Sequence, residues 1–517
     1  MRPFPHRLHA LAAAALALFL PLVAPAAHAG TGGADRPNVV LFVVDDLGLQ
    51  VGAYGDPDAV TPAMDRLAAE GARFERAYCT TSSCSASRAV LLTGMHNHAT
   101  GHYGHSHTVG HFSTYDSVQS VSRILGGAGY RTGAFGKLHV APDLVYPFDA
   151  QDSGKGNPGG DRNTVALADA AADWALGDGE KPFFLLYALM DAHQEGSGRF
   201  GNPAEGESYP GVENLTFDPA AVTLPPWVQD APHVRRKWAH YLQAIHRADQ
   251  GLARLVQRLE AAGQLNNTLI IATSDNGPPF HGSKATLYES GVHLPLIVRM
   301  PDSAGAPAGV VSDGLVTFVD VTPTILDVCG VPMPVVKPVQ PWESGKTPWP
   351  DLPPRPYEMH GRSFADLARG EAGEGRDHAF LSHTFHQVNM YDPMRALVER
   401  RWKYVFNLNP QHEQEWVVAS VNPGKPLETQ RQGVRRILDF TDRTAHQLFD
   451  LEADPWETRN LAHEPAHAGR VRAMHDRVAR FMHDTADPWV FVSDQLPQRA
   501  ALDPEVWALP EPADAAP

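Results

Sequence analysis

The sequence predicts an α/β fold in which helices flank a large mixed sheet, while a smaller C-terminal domain holds an antiparallel sheet. The large sheet is predicted from apolar segments that suit buried strands at 38–44, 182–190 and 269–273, the first of them rich in β-branched residues, and from a further strand at 131–135. The smaller sheet is predicted from four short strand-like segments, at 379–382, 395–399, 402–408 and 447–451. Helical patterns between the first four strands indicate that strands and helices alternate, so that helices cover the sheet.

Helices are predicted where apolar residues recur at helical spacing between start and stop signals. Thr61-Pro62 begins one helix and Gly71 ends it. Three further helices are predicted around 120–125, over a stripe from Ile245 to Leu259, and over a stripe from Val471 to Phe481. The stretch between the strand at 182–190 and Pro232 reads as a long loop, and such loops commonly shape the choice of substrate.

Composition and length bound the domain organisation. The chain has 517 residues, 43% of them hydrophobic and 20% charged, which is typical of a folded globular protein with one large and one smaller domain. We assign the large domain to 30–375, with a connector of nine prolines at 332–356, the C-terminal subdomain to 376–509 and a frayed tail to 510–517. The formal net charge of −16 argues against general nucleic-acid binding, so an anionic substrate would need locally concentrated positive charge.

A secretory signal peptide is predicted at residues 1–29. Arg2 and Arg7 precede an apolar run at 11–24, and residues 27–29 form a small-residue cleavage site. The alternative is an uncleaved membrane anchor, but the run is shorter than the roughly 20 residues that span a bilayer. We therefore expect an exported protein without stable membrane insertion, periplasmic, secreted or lysosomal according to its host.

Polar side chains follow two of the predicted strands at the points where those strands end. Asp45 and Asp46 come directly after the first strand, and Asp275 and Asn276 come just after the strand at 269–273. Ligands of open α/β sheets lie at the carboxyl ends of strands, and carboxylate and amide oxygens are the ligands of Ca²⁺ and Mg²⁺. A solvated acidic turn is the alternative for either pair alone. Together, the four residues predict a site for a hard divalent cation.

A cysteine motif opens a short apolar helix. The motif is Cys84-Ser85-Ala86-Ser87-Arg88, and the apolar run that follows ends at Gly94. The backbone N–H groups at a helix N-terminus attract anions, so Cys84 is placed to meet a negatively charged group. A buried thiol beside a surface charge is the alternative. Cys79 and Cys329 are the other cysteines; three cysteines exclude a disulfide framework, and whether those two pair is left open.

The cysteine motif resembles the signature of the type I, formylglycine-dependent sulfatases, Cys-x-Pro-Ser-Arg, with Ala86 in place of the proline. The resemblance implies an alkaline-phosphatase-like sulfatase fold and a formylglycine-generating maturation enzyme that oxidises Cys84 to an aldehyde. The hydrate of that aldehyde would be the nucleophile. The family also implies one Ca²⁺ per subunit, with Mg²⁺ less favoured, and its ligands would be Asp45, Asp46, the modified Cys84, Asp275 and Asn276.

The same resemblance implies roles for five further residues. Arg88, Lys137 and Lys284 would bind sulfate oxygens and offset their charge. His139 follows Lys137 by two residues, a spacing that points both side chains the same way on an extended segment, and it would be the base or hydrogen-bond partner that helps to release sulfate. His193 follows the strand at 182–190 and would be the general acid for the leaving group.

Within the sulfatases, the sequence is most similar to the sulfamidase group, the N-sulfoglucosamine sulfohydrolases. The similarity rests on the stretches 91–94, 103–104, 111–112, 136–140, 146–149, 393–395 and 487–490. It implies removal of N-linked sulfate from glucosamine N-sulfate at the non-reducing end of heparan or heparin-type saccharides, and a homodimer. Three alternatives stay open: an O-sulfatase acting on another sulfated sugar, a phosphonate or phosphate monoester hydrolase, and a non-catalytic relative that binds sulfated glycans because Ala86 prevents conversion of Cys84.

A histidine-rich loop follows the cysteine motif. Its members are His96, His98, His102, His105, His107 and His111. Clustered histidines suggest a transition-metal site, yet these lack the ligand spacing of a tetrahedral site with cysteines. We interpret them as loop or pocket-wall residues and do not predict zinc.

Overall fold

The computed structural model describes residues 36–511 except 108, 178, 197, 337–354, 374 and 412–423. The predicted signal peptide, most of the proline-rich connector and most of the predicted tail therefore lie outside the described residues. The strands of the large sheet are β1 (Asn38–Val44), β2 (Ala72–Tyr78), β3 (Arg131–Gly136), β4 (Ala150–Asp152), β5 (Phe183–Leu189), β6 (Thr268–Ser274), β7 (His293–Leu294), β8 (Leu296–Arg299) and β9 (Val310–Thr317).

The remaining strands lie further along the chain. They are β10 (Val335–Val336), β11 (Arg355–Pro356), β12 (His378–Phe385), β13 (Tyr391–Glu399), β14 (Trp402–Asn407), β15 (Arg431–Gln432), β16 (Arg435–Arg436) and β17 (His446–Asp450). The four predicted C-terminal strands correspond to β12, β13, β14 and β17.

The helices of the large domain are α1 (Pro62–Glu70), α2 (Cys84–Thr93), α3 (Asn97–Thr100), α4 (Val121–Gly127), α5 (Thr164–Leu176), α6 (Pro232–Ala261), α7 (Glu289–Val292), α8 (Val321–Val328) and α9 (Ala365–Ala368). The C-terminal helices are Leu438–Thr441, Ala468–Asp484, Val490–Asp494, Leu496–Leu502 and Pro504–Trp507. In the described part of the chain, every helix is too short or too polar to cross a bilayer.

The large sheet has nine strands and is mixed, as predicted. Its order is β4-β3-β5-β1-β6-β8-β2-β7, and β9 pairs with β2. The strands β4, β3, β5, β1 and β6 run parallel, β8 is antiparallel to β6, and β2 is antiparallel to β8. The carboxyl ends of β1, β2, β3, β5 and β6 consequently meet at one edge of the sheet, where the polar residues predicted from the sequence follow.

Both faces of the sheet are buried, which explains the nearly continuous apolar sequence of β1. Alternate residues of a strand point to opposite faces. Val39, Leu41 and Val43 belong to the apolar core that includes α2, α4 and α8, whereas Val40 and Phe42 belong to the core that includes α1, α5 and α6.

The smaller sheet is antiparallel throughout, in the order β12-β13-β14-β17, and so confirms the prediction. One face, which includes Leu397 and Tyr404, packs on helix Ala468–Asp484. The other face, which includes Leu381 and Ala396, belongs to the same apolar core as α2. The small sheet is thus joined to the large one through a shared core, while the domain limits assigned above stay a prediction.

Two buried histidines, His96 and His98, and the half-buried His360 lie where the large domain meets helix Ala468–Asp484. The rings of His96 and His98 stack with their centroids 5.7 Å apart. The ring centroid of His96 also lies 5.3 Å from that of His360 and 4.9 Å from that of Phe481, which packs edge-on from helix Ala468–Asp484. Burial lowers the pKa of His98 to about 3 and that of His360 to about 4, and it lowers the pKa of His96 as well. These rings are therefore neutral in the folded protein at neutral pH.

We expect acid to destabilise this junction. A histidine with a pKa depressed by folding contributes stability that is complete above its unfolded pKa of about 6.5 and is lost as the pH falls toward its folded pKa. Over the window from pH 6.5 to about 4, each such ring lowers the free energy of unfolding by up to about 1.4 kcal/mol per pH unit. Urea unfolding midpoints measured at pH 7 and pH 5 test this. His360→Asn should reduce the dependence on pH, whereas exposed His233→Asn should leave it as in the wild type.

Candidate active site

Two neighbouring strand ends place four oxygen-bearing residues side by side. Strands β1 and β6 are parallel neighbours in which Val44 pairs with Ser274, so the residues that follow each strand leave the sheet at the same level. Asp45, Asp46, Asp275 and Asn276 follow these strands, and all four side chains are fully buried. The prediction that these four residues lie together at the edge of the sheet therefore agrees with the geometry.

Hydrogen bonds from neighbouring elements fix the turn after β1. The Tyr241 hydroxyl donates to the Asp46 carbonyl at 2.9 Å and accepts the Gly48 N–H at 3.1 Å. The Ser274 hydroxyl accepts the Leu47 N–H at 2.8 Å. Asp46 has a φ of 59°, in the left-handed region that few non-glycine residues adopt, and such conformations cluster at functional sites.

Helix α2 begins at Cys84, as predicted, and presents this cysteine to the carboxylates. Cys84 is fully buried, and its Sγ lies 3.7 Å from Asp46 Oδ1. One ligand atom from each of Asp45, Asp46, Cys84 and Asp275 lies within 4.8 Å of all the others. Ala86 is in the first helical turn, where backbone N–H groups have no intrahelical acceptor, so a proline at this position would lose no hydrogen bond of the helix.

Three oxygen atoms of the cluster test whether a hard cation fits. Asp45 Oδ1, Asp46 Oδ2 and Asn276 Oδ1 are buried and have no hydrogen-bond partner among the described residues. Buried oxygens without partners are costly, and an oxygen-binding divalent cation would satisfy all three at once. The donor set therefore fits Ca²⁺ or Mg²⁺.

Three cationic side chains balance the three carboxylates. Lys137 pairs with Asp45, Lys284 Nζ lies 2.6 Å from Asp46 Oδ1, and Arg88 Nε lies 2.7 Å from Asp275 Oδ2. Because each carboxylate already has a cationic partner, a bound divalent cation would leave the whole cluster positively charged. Such a site attracts an anion, in spite of the acidic overall composition.

Burial and charge act in opposite directions on these carboxylates. Burial raises the pKa of Asp45, but Lys137 and the other nearby cations outweigh it and hold that pKa well below its usual range. Burial, together with the Asp45 charge, raises the pKa of Asp275 to about 7 even though Arg88 opposes the shift. For Lys284, burial lowers the pKa but the Asp46 carboxylate raises it further, so the ammonium stays charged.

Lys137 and His139 contact different partners, so the prediction that their side chains point the same way was wrong, although both lie near the site. Strand β3 ends at Gly136, which has a φ of 97° and whose Cβ, if present, would lie 1.9 Å from the Ala188 carbonyl oxygen. His139 itself has a φ of 59°, so the segment is not extended and strand alternation does not apply to it. Lys137 points to Asp45, whereas His139 Nε2 lies 2.6 Å from Nδ1 of His107.

His193 lies at the cysteine and the first carboxylate. One ring nitrogen of His193, the Cys84 Sγ and one Asp45 oxygen lie within 4.8 Å of one another. Burial lowers the pKa of His193 to about 4, against the opposing effect of Asp45. The ring is therefore neutral at neutral pH before an anion binds.

Sequence reasoning missed the residues that hold the segment before His193. Asp191 is buried between two arginines: Arg247 binds both carboxylate oxygens at 2.6 and 2.8 Å, and Arg162 binds Oδ1 at 2.6 Å. Arg162 also donates to the His193 carbonyl at 3.1 Å. Arg162 and Arg247 lie 29 and 56 residues from Asp191, and nothing in the local sequence links them.

Comparison with known proteins agrees with this arrangement. The sulfatase family model matches residues 37–331. N-sulphoglucosamine sulphohydrolase of Homo sapiens is 33% identical over 485 residues, which cover 89% of this chain and 92% of the human protein.

Solved structures show the same fold. A protein in complex with its substrate D-glucosamine-2-N,6-O-disulfate matches with a TM-score of 0.60 at 20% identity, over 87% of this chain and 98% of that one. The phosphonate monoester hydrolase of Agrobacterium radiobacter matches with a TM-score of 0.61 at 18% identity, over 87% and 96%. These likenesses confirm the predicted alkaline-phosphatase-like sulfatase fold. With its family match over more than half of its length and its identity to the human enzyme, this chain belongs to the sulfatase family.

Proposed function

We propose that this sulfatase hydrolyses the N-linked sulfate of glucosamine N-sulfate at the non-reducing end of heparan or heparin-type saccharides, with formylglycine derived from Cys84 as its nucleophile. The observation that carries the reaction class is Cys84 at the start of α2, within 4.8 Å of three buried carboxylates. The choice of N-sulfate is supported by the 33% identity to the human N-sulphoglucosamine sulphohydrolase, which extends over 89% of the chain.

The proposed metal is Ca²⁺, with Mg²⁺ as the alternative. Asp45, Asp46, Asp275, Asn276 and the modified Cys84 would hold it, since three oxygens of this group have no hydrogen-bond partner among the described residues. When bound, the cation would act as a Lewis acid that stabilises charge on the sulfuryl oxygens and favours the ionised nucleophile. Formylglycine in its hydrated form would supply one hydroxyl for attack and a second whose deprotonation permits release of sulfate.

The cationic side chains take two different parts in this proposal. Arg88 is fixed by Asp275 and by the Lys137 carbonyl, so it orients a metal ligand more directly than it reaches the substrate. Lys137 and Lys284 pair with Asp45 and Asp46, and they become available to sulfate oxygens once those carboxylates bind a cation. His139, whose buried Nδ1 has no partner among the described residues, is the proposed base for sulfate release.

His193 is the proposed general acid. An amide anion is a very poor leaving group, so the nitrogen of the departing amine must be protonated as the S–N bond breaks. Although the pKa of His193 is about 4 in the protein alone, an anionic sulfamate bound beside the ring would favour its protonated form. The sugar amine then leaves as a neutral group.

Replacing His193 by alanine should harm N-sulfate cleavage more than cleavage of an activated aryl sulfate. An aryl oxide with a low pKa leaves without a proton, so only the sulfamate depends on the acid; we expect a selective loss of about 10²- to 10⁴-fold. Comparing kcat/KM for glucosamine N-sulfate and for p-nitrophenyl sulfate in wild type and variant measures it. Equal losses on both substrates would count against the acid role.

The substrate proposal is tested by three parallel assays. Glucosamine N-sulfate, glucosamine 6-sulfate and an aryl phosphate represent the N-sulfatase, the O-sulfatase and the phosphoester alternative. We expect N-sulfate to be hydrolysed with the highest kcat/KM. A preference for 6-sulfate or for the phosphate would replace the proposed function by the corresponding alternative.

Conversion of Cys84 needs its own measurement because the motif carries Ala86. Mass spectrometry of the peptide that contains Cys84 distinguishes the two states, since formylglycine has lost the sulfur whereas a thiol keeps it and reacts with alkylating reagents. We expect the aldehyde in protein that is co-expressed with a formylglycine-generating enzyme.

We also propose that the protein is exported after removal of residues 1–29. N-terminal sequencing of the mature protein would test this.

A further inference from the structure

Two histidines of one loop, His105 and His107, meet His139, which lies 32 residues further along the chain than His107, beside the active site. One ring nitrogen from each of His105, His107 and His139 lies within 4.8 Å of the other two. The ring centroid of His107 lies 4.8 Å from that of His105 and 4.6 Å from that of His139. His107 is exposed, whereas His105 is buried, so the group forms a wall that opens toward solvent on one side.

His105 is the member whose ring has no hydrogen bond to any described residue. It is 6% exposed, and neither of its ring nitrogens has a hydrogen-bond partner among the described residues. Burial, together with nearby Lys284, lowers the pKa of His105 to about 3, so the ring is a neutral imidazole with a free lone pair. A buried polar group without a partner calls for a ligand, and a neutral imidazole nitrogen is a good metal donor.

Ligand spacing along the loop did not predict zinc, because His139 lies outside that loop. From the geometry, we propose that His105, His107 and His139 bind a transition-metal ion of the Zn²⁺ class, at a site distinct from the carboxylate cluster. Three imidazoles with no carboxylate match Zn²⁺ and exclude Ca²⁺, which takes oxygen ligands. Tetrahedral Zn²⁺ with Zn–N bonds of about 2.0–2.1 Å holds its nitrogens about 3.3 Å apart. The Nε2 of His139 and the Nδ1 of His107 are 2.6 Å apart, so they must separate slightly, which the exposed His107 side chain permits.

Occupation of this site would inhibit the sulfatase. His139 is the proposed base through Nδ1, whereas its Nε2 faces His107 and would bind the metal. With Zn²⁺ on Nε2, the neutral ring carries its single proton on Nδ1, so Nδ1 has no lone pair with which to accept another proton. The inhibition rests on the proposed function, whereas the binding of Zn²⁺ does not. The two parts therefore need separate measurements.

Binding is tested with the full chain saturated with Ca²⁺, so that the carboxylate cluster is occupied. Isothermal titration with Zn²⁺ should give one site whose affinity does not change when the Ca²⁺ concentration is raised. Co²⁺ in place of Zn²⁺ should give the strong visible absorption of tetrahedral cobalt. Zn²⁺ that competes with Ca²⁺, or Co²⁺ with octahedral spectra, would overturn the proposal.

Two exposed histidines of the same loop provide the matched pair of variants. His107→Ala should weaken Zn²⁺ binding by about tenfold or more, equivalent to about 1.4 kcal/mol. His111→Ala, outside the group of three nitrogens, should bind Zn²⁺ as the wild type does. Equal affinity in wild type and His107→Ala contradicts the site. For inhibition, Zn²⁺ should slow the hydrolysis of glucosamine N-sulfate by the wild type and by His111→Ala, and should slow it much less in His107→Ala. If neither the wild type nor a variant hydrolyses that substrate, the proposed function fails. The binding measurements still decide whether the metal site exists.

Discussion

Replacing Cys84 by alanine is expected to abolish turnover and to leave the fold intact. The variant lacks the side chain that is proposed to become the nucleophile after maturation, and loss of a nucleophile typically costs about 10⁴-fold or more in kcat. The thiol is fully buried and donates one long hydrogen bond, 3.7 Å to Asp46 Oδ1, so the substitution deletes a single sulfur atom and a weak polar interaction. Steady-state assays on glucosamine N-sulfate and thermal unfolding of the same preparation measure both effects.

A second buried cysteine supplies the control for that experiment. Cys329 is 2% exposed and lies at the end of α8, outside the carboxylate cluster. Cys329→Ala should keep its turnover while losing a similar amount of stability. Activity retained in Cys84→Ala would remove the nucleophile from the proposed mechanism, whatever the behaviour of the control.

Removal of Ca²⁺ is expected to have the second largest effect, on both activity and stability. Without the cation, Lys137 and Lys284 would be held by the carboxylates of Asp45 and Asp46. We therefore expect the protein to stay folded but to lose the charges proposed to bind sulfate. An ion that binds only the folded state at a hundred times its Kd stabilises it by about 2.7 kcal/mol. In thermal unfolding, EGTA should lower the Tm, and an excess of added Ca²⁺ should restore it.

A charge-removing variant locates the effect of the cation. Asp45→Asn keeps the shape of the side chain but removes a proposed ligand charge, so added Ca²⁺ should no longer raise the Tm and activity should be lost. The exposed Asp442→Asn should respond to Ca²⁺ as the wild type does. If Asp45→Asn gains as much stability from Ca²⁺ as the wild type, the cation binds elsewhere. Stronger stabilisation by Mg²⁺ than by Ca²⁺ would reverse the preferred metal.

Much of the site could be predicted because it depends on strand ends. A long buried strand such as β1 is recognisable from its apolar sequence, and its end from the first carboxylates, Asp45 and Asp46. The rule that ligands gather at the carboxyl ends of parallel strands then brings Asp275 and Asn276 to the same place without further information. The start of α2 at Cys84 followed in the same way from a local helix signal.

The predictions that failed or were missing concern positions set by turns and by distant chain segments. Strand alternation predicted that the side chains of Lys137 and His139 point the same way, but the strand ends at Gly136, which has a positive φ. The Ala188 carbonyl lies so close to Gly136 that a Cβ would not fit, and this contact is visible only in the tertiary structure. The ion pairs of Arg162 and Arg247 with Asp191 could not be predicted either, because no sequence pattern links residues that pair across distant parts of the chain.

By itself, the sequence determined the alternation of strands and helices, the family signature at Cys84 and the oxygen-bearing residues at two strand ends, because each of these depends on consecutive residues. Only the tertiary structure decided which cation pairs with which carboxylate and that His139, 32 residues from His107, joins His105 in one group of nitrogens. The physical reason is that spacing along the chain fixes side-chain direction only within a regular element. Beyond the end of a strand, turns and packing determine where each side chain points.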